Sequence, residues 1–227
     1  MNNRNLMIIL ETQNRIIKDT LINAWNSRED KIESIELQFA DFDGVVFHLS
    51  NPTNKSTILL SIRMKGFHQL DGCKELLEKE YSGYICNPEN GFDFSLEYDL
   101  LKIDDIGPVA EKASSLRRNC FAAPFYIAFD QQEKGTSSKL LKIDYRDEES
   151  IFIQAHADRV TVIFSVLFRD ESDIILSKIF LQEFVDARRQ PSLQITPQVL
   201  FSKEPPREVV GKTAQENVGY VTFGNLI

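Results

Sequence analysis

The sequence predicts an α+β fold of two tandem, similar domains, each an antiparallel sheet with helices. Helical and alternating apolar patterns follow one another in the order helix, three strands, helix, two strands, and this order then occurs a second time. Between the two runs, Gly107-Pro108 interrupts the pattern and suits the first turn of a new helix. We therefore expect a first domain over residues 1–106 and a second over residues 107–227. One mixed domain with a continuous sheet is the alternative.

The first half begins with apolar residues at helical spacing, which predict a helix over Leu6–Trp25 that is broken by Asn26-Ser27. A second helix is predicted over Gly72–Tyr81, where Leu76 and Leu77 supply the apolar face. Alternating apolar residues, separated by turns rich in Asn, Asp, Gly and Pro, predict five strands in this half. These strands are Glu33–Phe39, Val45–Leu49, Thr57–Met64, Tyr84–Cys86 and Phe92–Leu100.

The second half begins with a predicted helix over Val109–Glu133, which we expect to bend near Pro124 because proline removes a backbone donor. The segment from Asp170 to Asp173 is suited to capping a further helix that runs to about Arg189. Alternation again predicts five strands. They are Lys139–Tyr145, Ile151–His156, Val160–Phe168, Val199–Ser202 and Val218–Phe223.

Composition favours a folded and acidic chain. Of the 227 residues 42% are hydrophobic, which is enough to bury a core, and the formal net charge is −8. Nucleic acids and anionic membrane surfaces both require clustered lysine and arginine, so neither partner is expected. No apolar run approaches the roughly 20 residues that span a bilayer. The widely spaced Cys73, Cys86 and Cys120 fit free thiols in the cytosol.

Motifs for catalysis and metal binding are missing from the sequence. The three histidines stand at no metal-ligand spacing, and no C-x-x-C, G-x-G-x-x-G or G-x-S-x-G occurs. Gly211-Lys212-Thr213 resembles the end of a phosphate-binding P-loop, but Pro206 stands where that loop requires its first glycine. We therefore expect no enzyme activity, no cofactor and no metal, and a function in binding other proteins.

Seven strings along the chain resemble, in the same order, those of one protein family. They are Phe39–Val45, Asn87–Gly91, Arg118–Ala122, Asp158–Val162, Phe180–Phe184, Pro197–Ser202 and Asn217–Phe223. The family is that of the 34 kDa subunit (subunit 2) of the actin-related protein 2/3 complex, the nucleator of actin branches. The resemblance runs from about Ile8 to Phe223. It implies two tandem α+β domains, the fold that the repeated element order indicates on its own.

The resemblance implies a structural, actin-filament-binding subunit that supports nucleation of branched filaments in the cytoplasmic actin cytoskeleton. The implied partners are subunit 4 of the same complex, the two actin-related subunits and the side of the mother filament. Family members continue past the last strand into a long C-terminal helix that packs against the partner subunit. Only Gly224–Ile227 follow here, so we expect that helix to be absent and one apolar sheet face to be uncovered. The alternative is a truncated, free-standing protein-binding module that does not assemble into the complex.

The helix predicted to run to about Arg189 supplies the local evidence for a filament-binding surface. Its predicted sheet-facing residues recur at helical spacing and are Leu176, Phe180, Phe184 and Ala187. Cations displayed by an acidic chain are suited to docking an acidic filament surface. The candidate actin-filament-binding residues are Lys178, Arg188, Arg189, Lys203 and Arg207. The alternatives are ordinary solvated charges or, for Arg188 and Arg189, capping of the helix C-terminus.

Overall fold

A computed structural model of the chain describes residues 14–28, 32–41, 44–70, 72–144, 149–187, 198–209 and 217–226. It shows an α+β chain with two antiparallel five-stranded sheets, which confirms the predicted fold class. Residues 1–123 form one compact unit and residues 124–227 form a second. The expected domain boundary between residues 106 and 107 stays a prediction.

The elements follow the predicted order, with one additional helix break. The helices are α1 (Arg15–Asn26), α2 (Cys73–Glu80), α3 (Ile106–Ser114), α4 (Leu116–Glu133) and α5 (Glu171–Ala187). The strands are β1 (Glu36–Ala40), β2 (Val46–Ser50), β3 (Thr57–Arg63), β4 (Ile85–Cys86), β5 (Phe94–Asp99), β6 (Leu141–Asp144), β7 (Ser150–Ala155), β8 (Arg159–Leu167), β9 (Gln198–Ser202) and β10 (Val218–Leu226). Outside the described residues lie the predicted helix start at Leu6, the predicted strand end at Tyr145 and the predicted helix end at Arg189.

The first unit is built on an antiparallel sheet with the strand order β1-β2-β3-β5-β4. Leu49 of β2 pairs with Leu60 of β3, which pairs in turn with Leu96 of β5. Paired residues project to the same face of a sheet, and all three of these leucines are fully buried. Burying each such side chain contributes roughly 1.5–3 kcal/mol, so this face forms the core of the unit.

Helices α1 and α3 pack on one another in the first unit. At the end of α1, the indole Nε1–H of Trp25 donates a hydrogen bond to the Ile103 carbonyl at 2.9 Å. Before α1 begins, the backbone N–H of Asn14 donates to the Ser114 carbonyl, also at 2.9 Å. The guanidinium carbon of Arg28 lies 3.5 Å from the centre of the Trp25 ring. The two helices are therefore joined at both ends of α1.

The prediction of one long helix over Val109–Glu133 is wrong, because the chain forms α3 and α4 with a break at Ser115. The hydroxyl groups of Ser114 and Ser115 both donate to the Glu111 carbonyl, at 2.6 and 3.2 Å. Serine side chains that bond backbone carbonyls in this way compete with the helical hydrogen-bond ladder. The helix continues across Pro124, which lies inside α4.

The second unit repeats the strand order of the first, as β6-β7-β8-β10-β9. One face of this sheet carries a buried cluster to which the loop after β9 also contributes. The cluster consists of Phe152, Ile163, Val209, Val218 and Tyr220. The opposite face lies beneath α5. Within the described ranges, no helix is both long and apolar enough to cross a membrane.

Candidate protein-interaction face

An open groove of about 440 Å³ lies between α5 and the sheet of the second unit. We call this surface the α5 groove. Its walls are apolar, with the strands on one side and the helix on the other. The apolar lining includes Phe164 and Val166 of β8, Val221 and Phe223 of β10, and Leu176 and Phe180 of α5.

The register of β8 and β10 explains how the strands build the groove. Val221 pairs with Phe164, and because alternate side chains share a face, Val166 and Phe223 project to the same side. The rings of Phe164 and Phe223 meet edge to face, with centroids 5.7 Å apart. Ile163, next to Phe164 along β8, projects to the other face and belongs to the buried cluster. Both faces of this sheet are therefore apolar.

Helix α5 lies over the sheet without covering it. Leu176 and Phe180, which the helical spacing predicts to face the sheet, line the groove but remain 63% and 62% exposed. Ile175 and Ile179 of the same helix are 53% and 58% exposed and lie outside the groove lining. Contiguous exposed apolar surface of this kind marks sites of protein interaction. The α5 groove is therefore the candidate interaction face.

Gly219 of β10 allows two aromatic rings to pack directly on the strand. A Cβ atom at this position would lie 2.3 Å from Cε2 of Phe168 and 2.8 Å from Cε2 of Phe201. The two rings themselves meet at a centroid distance of 5.9 Å. Phe201 also makes a cation–π contact with the helix, because Nζ of Lys178 lies 5.8 Å from the centre of its ring. This contact connects α5 to β9.

The structure describes three of the five predicted filament-binding cations. Lys178 lies on α5, and Lys203 and Arg207 lie in the segment that follows β9. Their role in filament binding stays a prediction, as does that of the remaining two. Outside the described residues lie Arg188, Arg189 and the side chain of Phe184.

The strand residues that line the groove are not among the predicted site residues. The signal for it is present in the sequence, because Val160–Phe168 is apolar at most positions rather than at alternate ones. Such a run indicates a strand that needs cover on both faces. Finding Phe164 and Val166 as groove residues also requires knowing which face the rest of the unit leaves open.

Metal ligands do not gather within the part of the chain that the structure describes. No three His, Cys, Asp or Glu side chains there are placed to hold an ion.

Cys73 and Cys120 are buried free thiols. Burial, together with the negative charges of Glu97 and Glu89, raises the pKa of the half-buried Cys86 thiol. That thiol therefore stays protonated and is a weak nucleophile.

Comparison with known proteins identifies the family of the chain. A family model described as the 34 kD subunit p34-Arc of the Arp2/3 complex matches residues 60–226. The actin-related protein 2/3 complex subunit 2 of Schizosaccharomyces pombe is 40% identical over 245 residues, covering 96% of this chain and 77% of the relative. The subunit 2 of Dictyostelium discoideum is 35% identical over 226 residues, covering 96% of this chain and 75% of the relative. The chain therefore belongs to the family of subunit 2, the p34-Arc subunit, of the actin-related protein 2/3 complex.

Proposed function

We propose that this chain is a structural subunit of the actin-related protein 2/3 complex that binds the side of an actin filament and supports nucleation of branches. The proposed partners are subunit 4 of that complex, the two actin-related subunits and the mother filament, in the cytoplasmic actin cytoskeleton. The proposed role is non-catalytic and uses no cofactor. The observation that supports it best is the α5 groove, because its apolar and exposed surface suits another protein chain.

The two units differ at the sheet face where the groove lies. In the first unit, the central strands β3 and β5 are covered, and Leu60 and Leu96 are both 0% exposed. In the second unit, the central strands β8 and β10 present the half-buried Phe164 and Phe223 to the groove. An apolar segment of another chain would remove this surface from water, with a gain of about 25 cal/mol for each Å². We propose that subunit 4 supplies that segment.

The groove is tested by comparing Phe180→Asp with Ile179→Asp. Both side chains are exposed on α5 to a similar degree, but only Phe180 lines the groove. A charge at Phe180 is expected to reduce capture of co-expressed subunit 4 by about thirtyfold or more, as for an interface hot spot. Unfolding curves of both variants should match the wild type. Equal capture by wild type and Phe180→Asp would contradict the groove as the docking surface.

The proposed filament contact is separate from the groove and is electrostatic. An acidic chain of net charge −8 offers an attractive surface to an acidic filament only where cations gather. Lys178, beside the Phe201 ring, puts one such cation on α5. The cations proposed for filament contact are Lys178, Arg188, Arg189, Lys203 and Arg207.

A further inference from the structure

A buried histidine in the first unit contacts two carboxylates that come from different parts of the chain. His48, on β2, is 8% exposed. Its Nδ1 lies 2.7 Å from Oε2 of Glu89, and its Nε2 lies 3.0 Å from Oε1 of Glu36. Glu36 belongs to the edge strand β1, and Glu89 to the loop between β4 and β5. We call this arrangement the His48 bridge.

The hydrogen-bonding capacity of the ring depends on its protonation. An ionised carboxylate only accepts hydrogen bonds, whereas neutral imidazole has one N–H donor and one lone pair. Imidazolium has two donors and satisfies Glu36 and Glu89 together. When the ring is neutral, one nitrogen lone pair faces a carboxylate oxygen at hydrogen-bond distance, which is repulsive. The geometry of the His48 bridge therefore suits the protonated ring.

The loop that carries Glu89 folds over the sheet and shields the ring. Phe92 of this loop stacks on His48, with ring centroids 5.6 Å apart and planes 18° from parallel. The backbone N–H of Glu89 donates to the Ser95 hydroxyl at 2.9 Å, and that hydroxyl lies 2.7 Å from the hydroxyl of Ser61. The two serines are fully buried and small, which leaves room for the loop. The loop is thus held against β3 and β5 by polar contacts.

Acidic groups outnumber basic ones around the ring. Arg63 of β3 is a cation on this sheet face, and its guanidinium carbon lies 5.9 Å from the centre of the Phe92 ring. Burial lowers the pKa of His48, but its hydrogen bonds to Glu89 and Glu36 and the charges of both carboxylates raise the pKa by more. The net result is a pKa above the ordinary value of 6.5. The charged or titratable groups of the surrounding elements are Glu36, Arg63, His68, Glu89, Asp93, Glu97 and Asp99.

We propose that the His48 bridge is a pH-sensitive switch, in which loss of the ring proton loosens β1 and the Asn87–Asp93 loop from the sheet of the first unit. The folded chain binds this proton more tightly than the unfolded chain does. The stabilisation is therefore complete below a pH of about 6.5 and is lost as the pH rises through the folded-state value. The switch lies in the first unit, whereas the proposed docking groove belongs to the second, and it does not depend on the proposed function.

The test is amide hydrogen exchange of the full chain at about pH 6 and about pH 8, corrected for the intrinsic exchange rates. Protection of β1 is expected to fall about tenfold between the two conditions, the effect of losing one charge-assisted hydrogen bond. Protection of Asn87–Asp93 is expected to fall by less, because Nδ1–H of the neutral ring still donates to Glu89. Protection of the central strand β3 is expected to change little. Unchanged protection of β1 and the loop would overturn the proposal.

Glu36→Gln tests whether the contact between His48 and residue 36 can persist without the second ring proton. The amide donates to Nε2 of a neutral ring while Nδ1–H still donates to Glu89, so both bonds persist without the extra proton. The side chain of Glu36 is 76% exposed, so the variant should fold, and its pH dependence should disappear. His156→Gln changes a histidine of the second unit, remote in sequence from the bridge, and should keep the wild-type pH dependence. A pH dependence retained by Glu36→Gln would also overturn the proposal.

Discussion

Gly219 shows how one residue position can be fixed by space alone. Its φ does not lie in the left-handed region, so the backbone conformation does not require glycine. The requirement comes from the rings of Phe168 and Phe201, which occupy the space that a Cβ atom would fill. Gly224, in the same strand, has no heavy atom within 4 Å of an added Cβ and no positive φ. The two glycines of β10 therefore form a matched pair.

We expect Gly219→Ala to lower the free energy of unfolding by about 1–3 kcal/mol, because the added methyl group overpacks the two rings. Gly224→Ala should be neutral or stabilising by roughly 0.4–1 kcal/mol, since it only restricts the unfolded chain. Urea unfolding of the two variants and the wild type measures both changes. Equal effects of the two substitutions would contradict the packing at Gly219.

Single residues also show where prediction from sequence stops. In the sequence, His48 is one of three histidines, and none of them belongs to a recognisable motif. Its partners Glu36 and Glu89 are separated from it by 12 and 41 positions along the chain. Their meeting depends on the sheet register and on the path of a loop, and local patterns specify neither.

Helices α2 and α5 occupy the same place in the element order of the two units but differ in how well they are covered. Leu77 of α2 is 0% exposed, whereas Leu176 of α5 is 63% exposed. Helical spacing predicts an apolar face for both helices. It does not predict the extent of cover, because that depends on every other element that packs against the same sheet.

We expect Leu77→Ala to destabilise the chain by about 2–5 kcal/mol, the cost of a cavity in a close-packed core. Leu176→Ala should cost less than about 1 kcal/mol, since most of its side chain already contacts water. Urea unfolding of the 227-residue chain by itself provides the measurement. A cost at Leu176 as large as that at Leu77 would mean that α5 covers its sheet as tightly as α2 does.

For the whole molecule, the balance of charge sets what the surface attracts. The chain contains 34 acidic and 26 basic side chains, so its long-range field is negative at neutral pH. A negative field slows the approach of an acidic filament unless cations are displayed locally. The proposed filament contact therefore depends on a few positions rather than on the field of the whole chain.

Reversing two of these charges tests that proposal in the assembled complex. Arg188→Glu combined with Arg189→Glu is expected to weaken co-sedimentation with actin filaments several-fold, without loss of subunit 4. The difference in co-sedimentation between the wild type and this double variant should shrink as salt is added, because the screening length falls from about 10 Å at 0.1 M to about 3 Å at 1 M. Unchanged co-sedimentation at low salt would remove both arginines from the proposed contact.

Trp25, at the junction of α1 and α3, gives the chain a built-in optical probe. It is the only tryptophan of the protein, and its environment is set by the Ile103 carbonyl and the Arg28 guanidinium. Its fluorescence therefore reports on the first unit alone, whereas circular dichroism sums the helices and strands of both units. During denaturation, divergence of the two signals would show that the units melt separately, and coincidence would show that they melt together.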